Sequence, residues 1–91
     1  MPSICLPEVL DRTTVPGVSE MILAGRNEQL VIDAGAVRRM SALGFEMLLA
    51  AVRQWQDDGC SMLITDMSDA FVESLGQLGA TPADLRVEAG K

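Results

Sequence analysis

Two aliphatic runs, Leu30-Val-Ile32 and Met62-Leu-Ile64, flank one long amphipathic segment in this 91-residue chain. That arrangement constrains the fold more than anything else in the sequence. Two strands joined by a helix form a crossover unit whose strands lie parallel and whose connection is right-handed. The segment between them has a start and a stop. Ser41 is a suitable N-cap, since its hydroxyl oxygen can accept an otherwise unpaired amide two or three residues on. Gly59, after Asp57 and Asp58, tolerates the left-handed backbone that ends helices. At 100° per residue, Phe45, Leu48, Ala51, Val52 and Trp55 gather on one face, the expected core face, with Glu46, Arg53 and Asp57 opposite. A third line, Leu43, Met47, Ala50 and Gln54, runs between them and is mostly apolar.

Around this unit the chain alternates strands and helices. Ser3-Ile-Cys-Leu6 is a short strand ended by Pro7, which suits an edge or a bend. Glu8-Val-Leu-Asp11 continues as a second. Pro16 fits the first turn of a short helix over residues 15–23, closed by Gly25-Arg-Asn27. Gln29-Leu-Val-Ile-Asp33, with two of its three aliphatics β-branched, reads as a strand covered on both faces. Residues 33–40 form a loop. After the Ser61-Met-Leu-Ile-Thr65 strand, Ser68 caps a helix over residues 69–78 with Phe71, Val72, Leu75 and Leu78 inward, and Gly79 ends it. Thr81-Pro82 turns, Leu85-Arg-Val87 adds a last short strand, and residues 89–91 fray.

Composition excludes several functions. Seven basic residues against thirteen acidic ones give a net charge of −6, which opposes a nucleic-acid backbone or an anionic membrane surface as partner. No apolar run approaches the ~20 residues that span a bilayer, and the first residues lack the basic start and apolar middle of a secretory signal. The expectation is a cytoplasmic protein with no nucleic-acid partner and no direct membrane insertion. Cys5 and Cys60 are expected as buried, reduced thiols. The chain contains no histidine, so the commonest general base and metal ligand is missing, and Ser-His-Asp or Cys-His catalysis is excluded. No phosphate-cradling Gly-rich loop ending in Lys-Ser/Thr occurs. Asp57-Asp58 reads as a solvated face. The expectation is no enzyme, no cofactor and no metal.

With chemistry set aside, attention falls on residues 33–54. A loop leaving a strand at Asp33 and entering a helix start presents free amides at an exposed edge. Arg38 and Arg39 lie beside it, followed by Ser41, Ala42, Leu43, Gly44, Met47, Ala50 and Gln54. Leu43 and Met47 either tuck under a neighbouring helix or form a docking strip for another protein, with Met supplying adaptable contact area. Asp33 and Ser68, both at strand ends, are candidate small-ligand residues (nucleotide or lipid).

The order and spacing of Ile4-Cys-Leu-Pro-Glu-Val-Leu-Asp11, Leu30-Val-Ile-Asp33, Gly44-Phe-Glu-Met-Leu-Leu-Ala-Ala51 with Trp55 and Gly59, Ser68-Asp-Ala-Phe71 and Leu75-Gly-Gln-Leu-Gly79 resemble the STAS domain. This is the family of anti-sigma-factor antagonists and of the cytoplasmic domains of sulphate transporters. The chain is similar, more narrowly, to short stand-alone bacterial STAS proteins, some encoded among chemotaxis genes. The resemblance implies an α/β fold, with a STAS-like mixed β-sheet of four or five strands and helices packed mainly on one side. Residues 1–91 would form a single domain. It implies a non-enzymatic interaction module whose partner is an anti-sigma factor or a histidine-kinase-like regulator. The alternative is a structural subunit of a lipid-exporting ABC transporter, with the transporter ATPase as partner. In the antagonists a kinase phosphorylates a Ser or Thr that follows an Asp and lies two before a Gly at the start of the long helix. Matching on Gly44 places Ser41 at the Asp position and Ala42, which has no hydroxyl, at the phosphorylated one. Ser41, one residue away, becomes the candidate phosphorylation site.

Overall fold

The computed structural model describes residues 3–88, so the expected fraying of residues 89–91 lies outside the described residues. The elements in chain order are β1 (Ser3–Cys5), β2 (Val9–Leu10), α1 (Val15–Ala24), β3 (Leu30–Asp33), β4 (Arg39–Met40), α2 (Ala42–Asp58), β5 (Met62–Thr65), α3 (Asp69–Gln77) and a 3-10 helix over Pro82–Leu85. β3 lies between β1 and β5, parallel to both, with Ile4 opposite Ile32 and Ile32 opposite Ile64. β2 pairs with β4 as a separate parallel ribbon, and Met62 bridges Val87 in the antiparallel sense. Among the described residues the strands therefore number five across two sheets. The expected last strand shrinks to that single bridge, because Leu85 ends the 3-10 helix.

Burial alternates along the central strands. Leu30, Ile32, Met62 and Ile64 are buried in the core with Leu48, Trp55 and Phe71, so the helices cover that face. Val31 is half-buried and Leu63 exposed on the other face. The expectation that β3 is covered on both faces is therefore corrected. An apolar run of three also suits an open face, because β-branched side chains favour the pleated surface itself. Two further inward assignments are corrected: Val72 and Leu78 are exposed, and only Phe71 and Leu75 of that helix enter the core. Cys5 is exposed and Cys60 half-buried, both as free thiols, rather than buried.

The long helix follows its local chemistry. The Ser41 hydroxyl accepts from the Gly44 amide at 3.3 Å, and Gly59 ends α2 at φ +69°. Leu48, Ala51, Val52 and Trp55 are buried, while Phe45 is half-buried against the core. Trp55 donates from Nε1 to the Glu28 carbonyl at 2.9 Å, tying α2 to the loop before β3.

Asp58 is not a solvated carboxylate, as its neighbour Asp57 is. Arg26, just past α1, donates to it from Nε at 2.9 Å and from a terminal guanidinium nitrogen at 3.3 Å, and Gln54 donates at 3.2 Å. The Arg26 hydrogen bond, helped by its charge and by Gln54, holds the Asp58 carboxyl below its ordinary value against a smaller opposing effect of burial. A carboxyl depressed in the folded state contributes stability above its unfolded value, near ~3.9, and loses it as pH falls through the folded value. Arg26→Ala is thus expected to lower stability at pH 7 and to flatten its decline on acidification below about pH 4. Urea titrations at a series of pH values check this.

Candidate functional site

The start of α2 is set down on the β2–β4 ribbon. The Arg38 and Arg39 amides donate to the Glu8 carbonyl at 2.7 and 3.1 Å, and the Ser41 amide donates to the Leu10 carbonyl at 2.8 Å. Gly44 then passes over Leu10 with no space for a side chain. A Cβ there would lie 2.9 Å from the Leu10 Cβ, 3.0 Å from its carbonyl oxygen and 3.3 Å from the Met40 Cγ. The backbone oxygen cannot swing aside as a flexible side chain could. Overpacking of this kind costs about 1–3 kcal/mol, while alanine in place of glycine in a helix returns about 1 kcal/mol. Gly44→Ala is expected to be destabilising on balance, read as a lower urea midpoint with an unchanged slope.

This seating leaves the polar residues of the loop and helix start outward. Arg38 is exposed and pairs with Glu8 at 3.2 Å; Arg39 is exposed beside it. Ala42 and Leu43 are exposed at the first turn, and Ser41 is half-buried. The two dispositions expected for Leu43 and Met47 divide between them. Leu43 is 42% exposed, whereas Met47 is half-buried and packs against the core. Ala50 is exposed and Gln54 half-buried.

Met47, Ala50 and Gln54 of the third line form one side of a groove of about 210 Å³ between α1 and α2, and Leu43 lies outside its lining. Met47, Ala50, Ala51 and Gln54 come from α2, and Ser19, Ile22 and Leu23 from α1. The α1 side was not foreseen from sequence. The available signal was Leu23, which stands one step off the 15/18/22 spacing and is 52% exposed. Gln54 closes one end through its bond to Asp58.

Asp33 and Ser68 lie elsewhere, at the ends of β3 and just beyond β5. The Asp33 carboxylate accepts from the Gly35 amide at 2.8 Å. The Ser68 hydroxyl donates to the Val37 carbonyl at 2.6 Å and accepts from the Phe71 amide at 3.1 Å. Both side chains thus shape loops, and Ser68 caps α3. Among the described residues no group of three or more Cys, Asp or Glu side chains is placed to hold a metal ion, and no helix is long and apolar enough to cross a membrane.

A parallel core sheet with the helices on one face defines a small α/β domain. The chain belongs to the STAS domain family: the family model described as "Mlab, STAS domain" matches residues 3–85. Neither the curated proteins nor the solved structures give a match. STAS domains generally mediate protein–protein interactions and are generally not enzymes.

Proposed function

We propose that this STAS domain is a non-enzymatic docking module of bacterial signalling. It captures a kinase-like anti-sigma factor or a histidine-kinase-like chemotaxis regulator through the edge formed by residues 33–54. The observation that carries this is the uncovered apolar surface from Leu43 along Met47 and Ala50 into the α1–α2 groove, beside the exposed Arg38 and Arg39. Large exposed side chains next to a formed groove favour a protein partner over a small molecule. The test is capture from the native source with the tagged domain, the bound proteins being identified by mass spectrometry. Recovery of an ATP-binding signalling regulator supports the proposal. Recovery of a transporter ATPase at the same surface replaces it with the transporter-subunit role.

Position 42, where matching on Gly44 puts the family's phosphorylated residue, is alanine, and Ser41, the N-cap of α2, carries the nearby hydroxyl. A phosphate on Ser41 would sit at a helix N-terminus, where negative charge is stabilised, with Arg38 and Arg39 close in sequence. It would also displace the cap to Gly44. Ser41 is therefore the proposed point at which phosphorylation would control the docking edge. The expected result is a Ser41 phosphopeptide after incubation with the cognate kinase; an unmodified Ser41 would mean that the edge has no such switch.

A further inference from the structure

The groove between α1 and α2 has the shape of a slot for a third helix. The two helices run side by side in the same direction. Each connects two strands of one parallel sheet, α1 from β1 to β3 and α2 from β3 to β5, and Arg26, just past α1, meets Asp58 at the end of α2. The walls of the groove, Ser19 to Leu23 on α1 and Met47 to Gln54 on α2, make a slot about 10 Å long, enough for about two turns of a partner helix. Its lining alternates small residues, Ser19, Ala50 and Ala51, with the larger Ile22, Leu23 and Met47. Small side chains between larger ones let a helix axis approach to within about 8–10 Å.

The surroundings select the sign of the occupant. Glu20 follows Ser19 on α1, Glu46 precedes Met47 on α2 and Asp57 lies one turn beyond Gln54; all three are exposed outside the lining, as is Arg53, the counter-charge. Arg26 and Asp58 neutralise each other. A second copy of this chain would bring a further net charge of −6 against the same acidic rim, which disfavours self-association there. Basic side chains flanking an apolar stripe would meet opposite charge on both walls.

We propose that the partner inserts one amphipathic helix into this groove, its apolar stripe on Leu23, Met47 and Ala50 and its Lys/Arg flanks against Glu20, Glu46 and Asp57. This rests on the docking function proposed above and specifies what docks. The probes are three labelled peptides of about 15 residues, long enough to form helix on a surface. One carries leucines at helical spacing with lysine flanks, one the same leucines with glutamate flanks, and one the lysine composition scrambled. The 91-residue protein is expected to bind the lysine-flanked helix about tenfold or more tighter than either control. That affinity should fall as salt rises, and the Met47 methyl resonance should shift. Ala50→Arg should abolish binding, and Glu20→Lys with Glu46→Lys should reverse the preference between lysine and glutamate flanks. Equal binding of the three peptides, an unmoved Met47 resonance, or a dimer that Ala50→Arg dissolves would overturn the inference. If the peptides fail while native capture still depends on Leu43 and Met47, the helix is wrong and the docking function stands. If both fail, both are wrong.

Discussion

Leu43→Asp combined with Met47→Asp is expected to reduce partner capture on the order of a thousandfold, as two contact losses of about 2 kcal/mol each would do. The structure separates the two substitutions. Leu43 is exposed at the second position of α2, where a carboxylate is favourable to the helix, so the change removes contact area at little cost to folding. Met47 is half-buried against the core, so an aspartate there loses packing and costs about 1 kcal/mol or more. Circular dichroism and a urea midpoint must accompany the capture assay, and Ala50→Arg provides a variant confined to the exposed surface. Capture at wild-type affinity by a folded double variant would sink the proposed function.

Trp55→Ala is expected to be the most damaging single truncation of the core. The side chain is fully buried and its indole nitrogen holds the Glu28 carbonyl at 2.9 Å. Deleting a buried aromatic costs about 3–5 kcal/mol, and a domain of this size has roughly 5–10 kcal/mol in total. The variant should sit close to its unfolding transition at physiological temperature. Trp55→Phe keeps most of the ring volume but gives up the hydrogen bond, and should lose clearly less. Because the chain has one tryptophan, the readout must be circular dichroism rather than intrinsic fluorescence. Equal stability of Trp55→Ala and wild type would contradict the packing described here.

The parts legible in sequence are those governed by neighbours in the chain. The cap at Ser41, the left-handed stop at Gly59, the cap at Ser68 and the spacing of Leu48, Ala51, Val52 and Trp55 depend on a few adjacent residues, and all appear in the structure. β4 reads as loop in the sequence because two residues, Arg39 and Met40, show no alternation; only pairing with Val9 and Leu10 makes them a strand. The division of the strands into two sheets likewise depends on partners distant in sequence. Val72 and Leu78 fit a helical face by spacing, yet the core is already filled by Phe71 and Leu75. For the candidate surface, α2 displayed its own line of residues, but a groove needs a second wall. The contribution of Ser19, Ile22 and Leu23 follows from how α1 lies beside α2, which no periodicity in either helix encodes.

The close passage of Gly44 over Leu10 bears on kinetics as well as on packing. With backbone against backbone at that crossing, and the Ser41 amide bonded to the Leu10 carbonyl, the beginning of α2 has nowhere to slide. For a partner docking as proposed, the template would already be in shape, and its arrival rate is expected to be governed by diffusion and orientation rather than by rearrangement of the domain.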